Sequence, residues 1–336
     1  MPRVSIRSAP QVYILVGVII LSSLVFWSMS PTFLSTGNVS NILLQASATA
    51  IAASGMTLVI AAGWIDLSIG SLINVAVVIA LAASGVTSAA VGDSSVWTYV
   101  IVLAIAALGG LLNAALIQLL KVHPLLVTLG TLTLYRGIAL HITEAGNRAV
   151  DGPIQWLGRT SVLGIPMPVI LAVLVVVAAD FTLRRTTFGR YILAIGGSER
   201  FARETGLPIN RIRLAVFAVS GLLAGIAGII IVGRIGTLQT SLGVGYEFTV
   251  ITAVIVGGTS LFGGKASVVG SALGALLLAL IDNGLNRIDA SIYLYDVIRG
   301  LVLVIAVLSD SIITRRLALA GTRRQQSNLA HTRAEA

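Results

Sequence analysis

Ten apolar runs, each near the length of a membrane-crossing helix, alternate along the chain with short polar segments. They cover roughly 11–29, 41–62, 67–85, 96–120, 124–142, 163–183, 214–235, 247–262, 266–285 and 292–313. About 20 apolar residues carry a helix across the hydrocarbon core of a bilayer. A helix satisfies its own backbone there, and the runs lack the strict alternation of barrel strands. The pattern predicts an all-α polytopic integral membrane protein with about ten transmembrane helices. The eighth run is short and the third begins at a break. Segments 67–85 and 247–262 are therefore open to a re-entrant reading.

One stretch interrupts the pattern. Arg184 to Arg213, RRTTFGRYILAIGGSERFARETGLPINRIR, is a polar island with seven arginines between two long apolar runs. Its centre, Ser198 to Gly206, reads as a short helix with Ser198 as N-cap and Gly206-Leu207-Pro208 as its stop. Such a helix, lying across a membrane face, can enter a groove on a soluble partner and transmit force. The alternative is an ordinary connecting loop. The chain divides into a basic head (1–10), a membrane domain (11–313) carrying the 184–213 loop, and a tail (314–336) too poor in apolar residues to fold.

Composition agrees with the pattern. Hydrophobic residues make up 56% and charged residues 10%, where a soluble domain carries roughly 25% charge. The net charge of +9 raises nucleic acid as a partner, but its distribution excludes that reading. With the N-terminus inside and ten crossings, 16 of the 22 Lys and Arg fall inside: Arg3, Arg7, Lys121, seven in 184–213, Lys265 and five in the tail. Arg148, Arg159, Arg234 and Arg287 fall outside, and Arg136 and Arg299 lie within spans. This asymmetry orients both termini toward the cytoplasm.

Chemistry-bearing clusters are missing from the sequence. There is no cysteine, and His123, His141 and His331 are too scattered for a zinc site. No catalytic set and no metal site is expected. Ser28-Met29-Ser30 has the small-x-small spacing of a cleavage site, but Pro31 would occupy the scissile position, so the first run reads as a retained helix. Gly258 to Lys265 superficially resembles a phosphate-binding loop. Thr259 and Ala266 break the required pattern, so ATP hydrolysis is expected on a separate chain.

The polar residues in or near spans each have two readings. Asp66 is either a transport-path residue at a helix break or an N-cap for a helix beginning at Leu67. Asn74, Asn113, Asp282, Asn283 and Asn286 either line a path or hydrogen-bond between helices, and Asp296 and Arg299 can neutralise each other at i,i+3. Gly221, Gly225, Gly228, Gly270 and Gly274 recur at helix-packing spacing, for packing within one subunit or between two.

Several of these segments together resemble a known family. Phe188-Gly189-Arg190, Ala194-Ile195-Gly196-Gly197, Glu199, Ala202 and Gly206 look like the ATPase-contacting loop of ABC importer permeases. The stretch Gly63-Trp64-Ile65-Asp66-Leu67-Ser68-Ile69-Gly70 is similar to a signature of their ribose-type, simple-sugar branch, in the superfamily that also holds branched-chain amino acid permeases. Thr128 to Thr131 with Arg136-Gly137, and Gly257 to Gly264 with Gly270, Gly274 and Asn283 to Asn286, resemble its later blocks. Trp64, Arg200-Phe201 and Ala266 depart from the branch's usual small residues.

The resemblance implies a membrane-spanning permease subunit of a bacterial ATP-driven importer in the cytoplasmic (inner) membrane, translocating a simple sugar or sugar-like solute. It implies a second permease subunit, same or related, two cytoplasmic ATPases docked on 184–213, and a periplasmic solute-binding protein. It assigns ATPase coupling to Gly196, Gly197, Glu199, Ala202 and Gly206. The candidates for the translocation path or a structural break are Asp66, Asn74, Asn283 and Asn286. No cofactor is expected on this chain, since ATP would act through the partner. A branched-chain amino acid permease is the runner-up. A gradient-driven carrier would need a mid-depth acidic relay, whereas Asp66, Asp180, Glu247 and Asp282 fall mostly near span ends.

Overall fold

The computed structural model describes residues 9–85, 92–93, 95–291 and 293–311. Nearly all of the basic head, most of the loop 86–95 and the tail 314–336 lie outside the described residues. The chain folds into α1 (Ala9–Met29), α2 (Thr36–Ala61), α3 (Ile69–Ala83), α4 (Val96–Leu120), α5 (Pro124–Thr143), α6 (Pro153–Arg159) and α7 (Met167–Arg185). Then follow α8 (Thr187–Gly197), α9 (Glu199–Glu204), α10 (Ile209–Ile235), α11 (Tyr246–Val256) and α12 (Val268–Arg287). Residues 293–311 are helical as well.

Each of the ten apolar runs falls on a helix. Seven helices among the described residues, α1, α2, α4, α5, α7, α10 and α12, are long and apolar enough to cross a membrane. Helices α3 and α11, with 15 and 11 residues, reach only about 22 and 17 Å at the helical rise. The hydrocarbon core is about 30 Å thick. These are the two runs whose ends the sequence marked as irregular. The reason is local: glycine-containing turns at 62–68 and 257–267 take residues that would otherwise extend α3 backward and α11 forward.

Helix α2 is buried along most of its length and forms the axis of the bundle, packed by α10, α12, α7 and α11. Helix α10 in turn packs on α4, α3 and α6. The small-residue pairs do intramolecular work. A Cβ on Gly221 would overlap the Ala106 carbonyl of α4, and one on Gly274 would overlap the Ala253 carbonyl of α11. In lipid such backbone approach replaces the hydrophobic driving force that water would supply. Helices α1, α5 and α7 expose apolar faces, including Ile14, Leu21, Leu126, Leu134, Val173 and Leu174, the surface expected to meet acyl chains.

The few strand residues stay at one end. Arg148–Asp151 pairs in parallel with Gly92–Asp93 and antiparallel with Thr237–Leu238. This ribbon ties the α5–α6 connection to the exit of α10.

Candidate functional site

The polar island folds as two helices. Thr186 Oγ1 accepts from the Gly189 N–H and starts α8, and Ser198 Oγ accepts from the Phe201 N–H and starts α9. Gly206, at φ +77°, ends the turn after α9 in the left-handed region that glycine enters without strain. Cap and stop are therefore where the sequence placed them. On α9, Ala202 is buried against the bundle, while Arg200 and Phe201 face outward. The helix holds its own surface with two i,i+4 ion pairs, Arg200–Glu204 and Arg203–Glu199, both 3.0 Å. Exposed pairs of this kind add only a few tenths of a kcal/mol.

A third contact of Glu199 reaches the bundle. Arg213, on the first turns of α10, places Nη2 3.2 Å from Glu199 Oε1 and its guanidinium 4.7 Å above the Trp64 ring. Trp64 packs in turn on Phe217. Trp64 is the residue that departs from the branch's glycine. Here the indole forms the floor on which the Arg213 guanidinium rests.

The end of α8 meets the bundle backbone to backbone. A Cβ on Gly196 would overlap the Ala61 carbonyl oxygen and sit 2.5 Å from the Gly264 nitrogen. The Gly264 N–H donates to that same Ala61 oxygen at 3.0 Å. Gly263 lies against Gly63 and the Gly196 carbonyl. Three sequence blocks far apart in the chain thus converge on one small junction: the end of α2, the end of α8 and the turn before α12. Gly197, by contrast, is exposed with open space at its Cβ position.

Asp66 is buried beside this junction. Its Oδ1 accepts from Ser68 N–H at 2.9 Å and Ser68 Oγ at 2.6 Å. Asn113 of α4 donates to Ser68 Oγ at 2.7 Å, and the Tyr135 hydroxyl donates to Asn113 Oδ1 at 3.3 Å. The carboxylate shapes the turn entering α3, which begins at Ile69 rather than Leu67, and links α3, α4 and α5. Removing this acceptor strands the Ser68 N–H and loosens the chain to Asn113. Asp66→Ala is expected to cost about 2 kcal/mol. Asp66→Asn, which keeps an acceptor oxygen and removes a buried charge, should stay within about 0.5 kcal/mol of the parent. Thermal unfolding of the purified protein in detergent distinguishes them.

The other path candidates are dispersed. Asn283 Oδ1 accepts from Asn38 Nδ2 at 2.8 Å, and Arg287 reaches Asn38 Oδ1 at 3.0 Å and Thr32 Oγ1 at 2.6 Å. That network clamps the turn at 30–35 and the first turn of α2 onto α12. Asn286 is exposed, and Asn74 is buried in α3 with its Oδ1 unpartnered among the described residues.

None of the four lines the cavity that opens between α2, α10, α12 and the 239–246 segment, with a volume of about 260 Å³. Its polar lining includes Gln45, Thr49, Arg234, Tyr246, Asp282 and Arg299. Thr49 and Tyr246 share a hydrogen bond of 3.0 Å, and Arg299 Nη2 pairs with Asp282 Oδ2 at 2.6 Å. Asp282 therefore pairs across to Arg299, while Asp296 stands farther off at 3.7 Å. Sequence reasoning missed Gln45, Thr49 and Tyr246, which sit inside or at the edge of apolar runs. The only signal was a polar side chain within a span.

The comparisons bear on this arrangement directly. The family model described as branched-chain amino acid transport system / permease component matches residues 38–307. The chain is similar to the ribose import permease protein RbsC of Escherichia coli, 38% identical over 306 residues, covering 88% of this chain and 92% of that one. It is 34% identical to the D-allose transport system permease protein AlsC of the same organism, covering 87% and 89%. With the xylose transport system permease protein XylH, also from Escherichia coli, identity is 32%, covering 91% and 93%. No solved structure matches. The matched span runs from the start of α2 through the helix after α12 and so takes in the glycine junction, α8–α9 and the cavity; the chain belongs to the family of branched-chain amino acid transport system permease components.

Proposed function

We propose that this chain is the membrane-spanning permease subunit of an ATP-driven importer for a simple sugar, in a bacterial cytoplasmic membrane. The observation that carries the reading is α9: a short capped helix, outward-facing at Arg200 and Phe201, seated on a rigid junction with the bundle axis. A helix so mounted moves with the bundle when pushed. Relatives whose names give ribose, allose and xylose support a sugar rather than an amino acid. The shorter helices α3 and α11 count with the other eight as ten membrane segments, both termini facing the cytoplasm.

In this reading two permease subunits enclose the path, two ATPase subunits dock on 184–213, and a periplasmic binding protein delivers the solute. ATP binds the ATPases, not this chain. Each ligand shifts the population between inward- and outward-open states by its differential affinity for them.

The test is uptake in proteoliposomes that contain this chain, the ATPase and binding protein encoded with it, and internal ATP. Ribose, allose and xylose uptake should require ATP, and leucine should not enter. Gly206→Trp places a large side chain at the φ +77° turn on the docking face; it should lower uptake at least about tenfold, equivalent to 1.4 kcal/mol, with the protein still present in the membrane. Uptake independent of the ATPase and abolished by an ionophore would overturn the proposal.

A further inference from the structure

We propose that the cavity between α2, α10, α12 and the 239–246 segment is the sugar-hydroxyl site of the translocation path, with Gln45, Thr49, Arg234 and Tyr246 as its contact residues. This rests on the sugar-permease reading above and assigns a place and a chemistry to the solute within it.

The location fits passage rather than support. Helix α10 runs from Ile209, next to α9, to Ile235, beside the cavity, about 40 Å at the helical rise. The cavity thus lies toward the end of the bundle opposite the coupling helices, where a solute delivered from the far side arrives. Gln45 and Thr49 stand near the middle of α2, the buried axis of the fold. The segment after α10 meets the bundle where the Gly243 and Gly70 backbones approach, and it contributes Gln239, Ser241, Val244 and Tyr246 to the cavity wall.

The lining is chemically incomplete. Among the described residues the half-buried side chains of Gln45 and Arg234 have no hydrogen-bond or ion-pair partner, although both line the cavity. Polar groups within a membrane bundle are costly unless something satisfies them. Here water or a hydroxylated solute does so. The groups offer donors (Arg234, the Gln45 amide), acceptors (the Gln45 carbonyl), and hydroxyls able to act as either (Thr49, Tyr246). Each sugar hydroxyl is itself donor and acceptor, which this mixture matches.

Charge argues against an amino acid. A zwitterion needs an anion for its ammonium, and the one carboxylate in the lining, Asp282, is already held by Arg299 at 2.6 Å. Size agrees as well. A volume of about 260 Å³ is of the order found for small-ligand pockets, which suits a single pentose or hexose.

The chain has no cysteine, so one introduced thiol reports on one position. In the assembled importer, Arg234→Gln and Gln45→Leu should each lower ribose uptake at least about tenfold while binding-protein-stimulated ATP hydrolysis stays within about twofold. The preference for ribose over 2-deoxyribose should shrink in the same variants. Thr49→Cys should react with a small polar thiol reagent, and ribose with ATP should slow that reaction at least about fivefold.

If the unsubstituted importer takes up no sugar, the functional reading fails before the cavity is tested. If it imports ribose and both variants keep uptake and preference unchanged, the cavity assignment is overturned. Should a variant lose uptake and hydrolysis together, the Thr49→Cys measurement decides: protection by ribose supports the site, and no protection overturns it. A preference for an acidic or phosphorylated sugar over ribose would overturn the assignment to neutral hydroxyls.

Discussion

Replacing Gly196 by alanine is expected to destabilise the folded chain by about 3 kcal/mol, at the upper end for overpacking a tight contact. The neighbouring change Gly197→Ala should shift stability by less than about 1 kcal/mol, and toward greater stability given alanine's helix propensity. The two positions are adjacent at the end of α8, so propensity and charge are matched. They differ in what a methyl group meets. At Gly197 there is open space. At Gly196 the new carbon overlaps the Ala61 carbonyl oxygen and reaches 2.5 Å from the Gly264 nitrogen, two atoms already joined by a 3.0 Å hydrogen bond.

Both obstacles are backbone, so no rotamer change relieves them. Either α8 backs away or the Ala61–Gly264 bond opens. Unfolding midpoints in detergent, followed by near-ultraviolet circular dichroism, measure the difference. Equal midpoints for the two variants would remove the junction from the account. In the assembled importer Gly196→Ala should also lower sugar uptake per ATP hydrolysed, because the junction joins α8–α9 to the bundle axis.

Why this junction could not be read from the sequence is physical. Gly63, Gly196 and Gly263 lie in three of the blocks that carry the family resemblance, and each block was visible alone. Nothing in a linear pattern says that backbone segments so far apart touch. The helices were legible because lipid imposes a long apolar run on each crossing, and every run became a helix. The ends of α3 and α11 were less legible, since local turns rather than hydropathy set them. Asp66 illustrates this: its bond to the Ser68 N–H delays α3 to Ile69.

Site chemistry divided in the same way. The capped α9 was legible because Ser198 and Gly206 act within a few residues of themselves. The cavity was not. Gln45 and Thr49 are isolated polar positions in an apolar run, and Arg234 read as an outside-loop cation, whereas it ends α10 facing the cavity. Asn283, chosen as a path candidate for its polarity, is engaged with Asn38 in a clamp on α12.

Glu199→Gln is expected to cost more stability than Arg213→Met, about 2 against about 1 kcal/mol, although both break the same ion pair. The asymmetry follows from burial. Arg213 is only 8% exposed and its Nε has no hydrogen-bond partner among the described residues. Removing the Glu199 charge leaves that guanidinium with the Trp64 face alone, a contribution of roughly 1 kcal/mol or less. Glu199 is better placed to lose its partner: its side chain is 38% exposed and Arg203 still pairs with it at 3.0 Å. Solvent at Glu199 keeps the first cost below the 3–5 kcal/mol of a fully buried broken pair.

The double variant should cost about as much as Arg213→Met alone, because with the buried cation gone the Glu199 charge no longer compensates anything. Strictly additive costs would show that the pair does not couple α9 to α10. In the assembled importer each single variant should retain ATP hydrolysis yet reduce sugar uptake by about tenfold, or 1.4 kcal/mol. The Glu199–Arg213–Trp64 stack joins α9, α10 and the turn after α2, and under the proposed coupling role an α9 freed from that stack moves without moving the path.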